Sequence, residues 1–228
     1  ANVAEGEVYT VSSVKVTGDT ILPMEDIQKL VVLQEGNTFS RALVELTSDG
    51  IIATLGNIGY AFAQVNPVPE IDREGRKIAI NFFVEPGPRV QVRRIAFTGN
   101  STTADEVLRR EMRQFEGAWF SQAAIDRSKI RLQRLGYFET VDIETPEVAG
   151  QPDQVDVVIK VKERNSGQFT FGLGYQQAYG LITSVQLSQT NFLGTGNRFN
   201  LAIQNNSYSK QFSLGVTDPY FTDDGVSL

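Results

Sequence analysis

Apolar and polar residues alternate along the chain in an order that predicts the same elements twice: strand, helix, helix, strand, strand. Short runs with a period of two predict strands, and an apolar residue at every third or fourth position predicts helices. The longest helical stripes run through Ile51 and Leu55 in the first copy and through Ile125 and Leu132 in the second. The pattern therefore predicts an α+β chain with an internal repeat.

Matching segments support the repeat. Residues Val14–Asp19 resemble Ile95–Asn100, and Glu35–Ser40 resemble Glu116–Ser121 at the same offset. Landmarks that recur in the same order about eighty residues apart indicate two copies of one supersecondary unit. The sequence therefore predicts two tandem βααββ modules.

The first helix of the second module has a predicted start and a predicted buried face. Thr103 and Glu106 have the spacing of a capping box, in which each side chain satisfies a backbone N–H of the first turn. Leu108, Met112 and Phe115 follow at helical spacing. We expect these three side chains to pack into the core of the module.

After Asn165 the period changes to two, and charged residues become rare. Phe169, Phe171 and Leu173 alternate with polar or small residues. This alternation is typical of transmembrane barrel strands, although a soluble sheet with one buried face has the same period. Aromatic residues near the predicted turns favour the membrane. The segment after Asn165 is long enough for about four such strands. Because four strands cannot close a barrel, we expect further strands after Leu228.

The amino-acid composition excludes several kinds of functional site. The chain has neither cysteine nor histidine, so it can form no thiolate site and no histidine-based catalytic triad. No pair of acids has an arrangement that predicts a carboxylate enzyme. The net charge of −6 argues against a nucleic acid partner. We predict no enzyme activity, no cofactor and no metal.

These patterns predict four segments. Residues 1–8 are the end of a preceding module or a linker, 9–87 and 88–165 are the two modules, and 166–228 are the first antiparallel strands of a truncated, incomplete transmembrane β-barrel.

The repeat resembles the POTRA module, and two such modules followed by barrel strands resemble the BamA family of outer-membrane protein assembly factors. The segments that carry this resemblance are Leu108–Trp119, Arg134–Val141, Pro152–Val157, Lys160–Asn165, Asn191–Gly196 and Asp218–Phe221. The resemblance implies that the modules are the fourth and fifth, the penultimate and last, of the family's array.

The resemblance also implies a non-enzymatic function. Members of the family receive unfolded outer-membrane proteins in the periplasm and insert them into the bacterial outer membrane by strand templating, together with outer-membrane lipoproteins of the assembly complex, especially BamD. Contact with the lipid bilayer is through the barrel. The alternative is a related POTRA-barrel transporter that secretes a passenger polypeptide.

By the same resemblance, two sets of residues are candidate sites. Arg113 and Glu116 are expected to contribute to BamD docking. The first barrel strand is expected to lie at the seam where substrate strands pair, and it comprises Gln168, Phe169, Thr170, Phe171, Gly172, Leu173, Gly174 and Tyr175. Free sheet edges at Ala61–Val65 and Glu139–Ile143 are further candidates for pairing with an extended chain.

Overall fold

The computed structural model describes residues 8–178, 180–222 and 227 and has the predicted α+β fold class. Residues 1–7, most of the segment predicted as a preceding module or linker, lie outside the described residues. Packing divides the described residues into two compact units. One contains residues 8–94, 114–126 and 146–156, and the other contains residues 95–113, 127–145, 157–178, 180–222 and 227. The boundary between the units therefore passes through the second repeat.

The first repeat forms a three-stranded sheet with two helices. Its elements are β1 (Thr10–Gly18), α1 (Met24–Leu30), α2 (Arg41–Asn57), β2 (Gln64–Asp72) and β3 (Lys77–Glu85). The strand order is β1-β3-β2, with β1 parallel and β2 antiparallel to the central β3. The second strand is an edge strand, as expected, but it begins at Gln64 and extends well beyond the predicted Ala61–Val65.

The core of the first repeat contains the predicted helical stripe. Ile51 and Leu55 of α2 are buried with Ile27 and Phe82 in one apolar cluster. Ile58, three residues after Leu55, is 36% exposed because α2 ends one residue earlier.

The second repeat has the same order of elements and one additional short strand. The elements are β4 (Gln91–Thr98), α3 (Asp105–Arg109), α4 (Gln122–Leu135), β5 (Phe138–Glu144), β6 (Glu147–Val148) and β7 (Gln151–Glu163). The strand order is β4-β7-β5, and β6 pairs with β7. β5 is again an edge strand and closely matches the predicted Glu139–Ile143.

A glycine at the end of the first strand explains one of the repeated sequence landmarks. Gly18 and Gly99 have φ angles of +95° and +87°. A Cβ atom would overlap the carbonyl oxygen of Val84 at the first position and of Val161 at the second. Both repeats therefore require glycine here, because of the backbone conformation and the close approach of the third strand.

The predicted capping box is wrong. α3 begins after Ala104, and no side chain caps it. The hydroxyl of Thr103 instead accepts a hydrogen bond from Asn191 at 2.8 Å. The helix ends at Arg109, so Phe115 leaves the predicted stripe and is 66% exposed, whereas Leu108 and Met112 are buried as expected.

The last part of the chain forms an antiparallel sheet that resembles the start of a barrel. Its strands are β8 (Gly167–Gln176), β9 (Gly180–Gln189), β10 (Arg198–Asn205) and β11 (Lys210–Thr217). They pair in the order β11-β10-β9-β8, so β8 is at one edge. Across the residues that the structure describes, no helix is both long and apolar enough to cross a membrane.

Candidate functional site

The predicted seam residues lie on the edge strand β8, and the direction of their backbone groups can be deduced. The carbonyl oxygen of Ser166, just before β8, accepts a hydrogen bond from the N–H of Thr190 at 3.3 Å. Backbone groups alternate between the two sides of a strand, and the β8–β9 pairing has no register shift. The odd-numbered residues from Phe169 to Tyr175 therefore turn their N–H and C=O groups away from β9, where no other strand of the described chain pairs with them.

The same odd-numbered positions carry large apolar side chains. Phe169, Phe171, Leu173 and Tyr175 are between 61% and 78% exposed. A contiguous apolar surface of this kind is typical of a face that meets a membrane or a partner. β8 thus combines free backbone groups with an uncovered apolar face.

Gly172 and Gly174 lie at even-numbered positions of β8. A Cβ atom on Gly172 would approach only the rotatable hydroxyl of Ser184, and one on Gly174 would meet no atom within 4 Å. Close packing within the described sheet therefore does not require glycine at either position. The effect of these glycines is to remove side-chain packing from the interior of the strand, which weakens it.

Arg113 lies in the loop between α3 and α4, exposed to solvent. Its Nη1 atom donates hydrogen bonds to the carbonyl oxygens of Arg110 at 3.3 Å and Met112 at 3.0 Å. Its backbone N–H donates to the hydroxyl of Ser128 at 2.8 Å. Arg113 therefore has a local structural role, which sequence reasoning missed.

Glu116 lies further along the same loop, exposed to solvent, and the buried side chain of Gln114 supports this part of the loop. The Gln114 amide nitrogen donates to the carbonyl oxygen of Trp119 at 3.0 Å, and its amide oxygen accepts from the N–H of Ser121 at 2.9 Å. Phe115 and Trp119 are 66% and 45% exposed. The loop thus presents a carboxylate and two aromatic rings on a fixed backbone.

A polar network that the sequence did not predict joins the segment after β11 to the second repeat. Glu111 has a side chain only 4% exposed and pairs with Arg131 at 2.7 Å. The hydroxyl of Tyr220 donates to the other carboxylate oxygen of Glu111 at 2.6 Å, and the guanidinium of Arg110 lies 4.1 Å from the centre of the Tyr220 ring. A carboxylate at this depth requires such partners, because an unpaired buried charge is strongly destabilising.

The turn between β9 and β10 also lies against the second repeat. Asn191 donates to the Thr103 hydroxyl and accepts a hydrogen bond from the N–H of Gly196, both at 2.8 Å. The carbonyl oxygen of Gly196 accepts from the Tyr137 hydroxyl at 3.0 Å. Gly194 has a φ of +77°, and a Cβ atom there would overlap the carbonyl oxygen of Thr102. The conformation of this turn thus depends on contacts with the module.

Glu163 fixes the loop that receives Asn191. Its carboxylate accepts hydrogen bonds from the backbone N–H of Thr103 at 2.7 Å and of Thr102 at 3.0 Å, and from the Ser101 hydroxyl at 2.9 Å. Burial alone would raise the pKa of Glu163, but the hydrogen bonds from Thr103, Ser101 and Thr102 outweigh it and lower the pKa to about 2. The carboxylate is therefore ionised at neutral pH.

One member of the polar network around Tyr220 could have been identified from the sequence. Glu111 follows Leu108 by three residues and so falls on the apolar stripe of the predicted helix, a position where a charge implies a buried partner. Nothing local to Glu111 identifies that partner as Tyr220. Within residues 8–178, 180–222 and 227, no group of three or more acidic residues could hold a metal ion.

Two family models match the chain. The model described as POTRA, surface antigen variable number repeat, matches residues 9–87 and 90–164, and the model described as the Omp85 superfamily domain matches residues 191–228. The outer membrane protein assembly factor BamA of Neisseria meningitidis serogroup B is 36% identical over 227 residues, which are 99% of this chain. The chain spans 28% of the length of that relative.

Two solved structures are similar as well. BamA from Haemophilus ducreyi lacking POTRA domains 1–3 has 41% identity and a TM-score of 0.82, over 96% of this chain and 41% of that one. Haemophilus influenzae BamA POTRA3-5 has 39% identity and a TM-score of 0.66, over 68% of this chain and 61% of that one. The similarity to the first includes nearly all of the present chain.

Proposed function

The chain belongs to the POTRA family, and from this premise we propose that it is the membrane-proximal part of an outer-membrane protein assembly factor. The names of its relatives support this proposal. The protein would receive unfolded β-barrel proteins in the periplasm and insert them into the bacterial outer membrane. It would do so without enzymatic chemistry or a cofactor, through strand pairing and burial of apolar surface.

The division of the chain follows from this function. Residues 9–87 and 88–165 would be the fourth and fifth modules, located in the periplasm, and residues 166–228 would begin the transmembrane barrel. The similarity over 96% of the chain to a protein that lacks POTRA domains 1–3 supports this order. The exposed apolar residues of β8 support contact with lipid.

The open edge of β8 is the observation that carries the mechanism. From Phe169 to Tyr175, alternate residues present free N–H and C=O groups, and none of them is proline. An extended chain can pair with such an edge largely irrespective of its sequence. Each backbone hydrogen bond contributes about 1 kcal/mol, and each buried large apolar side chain roughly 1.5–3 kcal/mol. Gly172 and Gly174 would keep the strand weak enough to exchange partners.

The test uses the complete parent protein in lipid vesicles and an unfolded outer-membrane protein as substrate. A photo-crosslinking amino acid at Phe171 on β8 should capture the inserting substrate, whereas the same amino acid at Leu201 on the interior strand β10 should not. Since the chain has no cysteine, disulfide locks can be introduced without background. A lock between Thr170→Cys and the last barrel strand should stop insertion.

The matched control joins β8 to its existing neighbour. Thr170 and Gln186 face each other across β8 and β9, so a Thr170→Cys, Gln186→Cys disulfide leaves the outer edge free. Insertion should continue with this lock. Equal inhibition by both locks would contradict the proposed seam, and a parent protein that folds into vesicles without speeding insertion would contradict the assembly function.

We also propose that the loop containing Arg113 and Glu116 docks the lipoprotein BamD. The exposed carboxylate of Glu116 and the exposed ring of Phe115 suit a partner surface with basic and apolar groups. Glu116→Lys should reduce recovery of BamD with the protein. Glu35→Lys is the matched control, because Glu35 is exposed at the equivalent position of the first repeat. Equal losses with both variants would exclude a specific dock at Glu116.

A further inference from the structure

The edge strand β2 contains two prolines that its counterpart β5 lacks. Pro67 and Pro69 lie opposite Phe82 and Ile80 of β3, in a pairing that runs without a register shift along all of β2. Proline has no N–H, so a regular antiparallel ladder tolerates it only where its nitrogen points away from the neighbouring strand. The direction of the backbone therefore decides what these prolines do.

The direction is given by a hydrogen bond on the other side of β3. The carbonyl oxygen of Val84 accepts from the N–H of Asp19, directly after β1, at 3.2 Å. Even-numbered residues of β3 therefore turn their backbone groups towards β1. Their partners on β2 are the odd-numbered residues from Val65 to Ile71, which then turn towards the free edge. Pro67 and Pro69 are the two middle positions of that set.

The outer side of β2 consequently lacks donors where an added strand would need them. Only Val65 and Ile71 offer an outward N–H group, while Pro67 and Pro69 contribute carbonyl oxygens alone. The pyrrolidine rings also occupy the position of the missing hydrogen atoms. Proline on an edge strand is an established means of preventing further strand pairing.

The corresponding edge of the second repeat has no proline, although its pairing with β7 shifts register between Phe138 and Thr140. The N–H of Arg164 donates to the carbonyl oxygen of Tyr137 at 3.0 Å, so even-numbered residues of β7 face β5. Val141 and Ile143 pair with odd-numbered residues of β7 and therefore turn both backbone groups outward. β5 contains no proline, and no further strand in the described part of the chain pairs with its outer side.

We propose that Pro67 and Pro69 close the first module to strand addition, so that an extended polypeptide pairs with β5 of the second module and not with β2. This inference rests on the proposed function, which supplies the extended chain. Two modules of the same fold would then differ in their capacity to bind substrate. Relative to the same strand without prolines, β2 lacks two of four outward donors. Each contributes about 1 kcal/mol, so their loss corresponds to at least tenfold weaker capture by β2.

The experiment measures capture at each edge separately in the complete chain, held in detergent micelles. The probe is a peptide with the sequence of Arg198–Asn205 in which Asn200 is replaced by cysteine. Single replacements Asn66→Cys on β2 and Thr140→Cys on β5 are both at exposed positions of a chain with no other cysteine. Disulfide yield at Thr140→Cys should exceed that at Asn66→Cys. The outward donors of β5, at Val141 and Ile143, are consecutive, whereas both prolines separate the two that remain on β2.

Two exchanges test whether the prolines cause the difference. Pro67→Ile with Pro69→Thr restores both N–H groups on residues that favour strands and should raise capture by β2 about tenfold. Ile143→Pro should lower capture by β5, whereas Ile143→Ala, which keeps the N–H group, should lower it much less. Thermal unfolding of each variant verifies that the modules remain folded.

Equal yields at the two edges, or no gain from the proline replacements, would overturn the inference. It would also be overturned if Ile143→Ala and Ile143→Pro lowered capture equally, or if neither edge captured the peptide. These results would leave the assembly function standing, because insertion into vesicles by the parent protein tests that separately.

Discussion

The hydroxyl of Tyr220 lies 2.6 Å from a carboxylate oxygen of Glu111, although 109 residues separate them in the chain. Because Arg131 pairs with the same carboxylate, the three side chains form a closed set of hydrogen bonds. The segment after β11 is thereby attached to the second repeat. The cost of removing each partner follows from this arrangement.

Tyr220→Phe should lower the free energy of unfolding by about 2 kcal/mol, the usual cost of losing a hydrogen bond to a charged group. The ring contact with Arg110 would remain. Urea unfolding in detergent micelles, followed by fluorescence of the chain's one tryptophan, measures the change. Tyr175→Phe is the control, since that residue is 78% exposed, and it should change the value by less than about 0.5 kcal/mol.

A double-mutant cycle should show that Tyr220 and Glu111 act together. Glu111→Gln alone should destabilise by about 3 kcal/mol, because Arg131 would lose its charge partner. In the double variant Glu111→Gln, Tyr220→Phe, the loss should be smaller than the sum of the two single losses by about 1 kcal/mol or more. Additive losses would mean that the hydrogen bond does not couple the two residues.

Gly194→Ala should be more disruptive than a glycine replacement in open space. The new Cβ atom would overlap the carbonyl oxygen of Thr102, so the turn would have to move away from the second repeat. We expect a loss above about 2 kcal/mol. Gly117→Ala is the matched control, with a φ of +76° but no atom within 4 Å of the added methyl group, and it should lose only about 1 kcal/mol. Similar losses would show that the turn is not held against Thr102.

Glu163 should make stability depend on acid pH. Its pKa is about 2 in the folded protein against an ordinary value of 4.5, so the ionised carboxylate stabilises the fold above about pH 4.5, and this contribution disappears as the pH falls towards 2. Glu163→Gln should therefore cost about 2 kcal/mol at pH 7 and little at pH 2, the value being reduced by partial solvent screening.

Urea unfolding at a series of pH values measures this effect. Glu139→Gln is the control, because its ion pair with Lys162 is largely exposed and contributes little at any pH. A cost for Glu163→Gln that stays constant between pH 7 and pH 2 would contradict the role of the charge.

The sequence predicts the fold where the pattern is local and repeated. The stripes through Ile51 and Leu132 and the period of two from Phe169 onward are properties of single elements, and each forms the expected helix or strand. The prediction at Thr103 is wrong for a different reason. Its hydroxyl is bound by Asn191, 88 residues away, and no local pattern contains that information.

The candidate site was predictable to a similar extent. The alternation identifies β8 as a strand, but only the pairing order makes it an edge. The prolines of β2 were visible in the sequence, yet their effect depends on which side their nitrogens face, and this is decided by the hydrogen bond between Asp19 and Val84. Tertiary pairing therefore supplies what residue type alone cannot.

On β8, the residues that offer free backbone groups are also those that carry the apolar side chains, from Phe169 to Tyr175. An added strand must therefore pair with β8 in the register that puts its own apolar residues on the same face of the sheet. If it slips by one residue, every side chain moves to the opposite face, and polar groups replace apolar ones beside Phe171 and Leu173. A slip of two residues restores the match. A chain can therefore shift along β8 by two residues at a time while its lipid-facing and water-facing sides stay distinct.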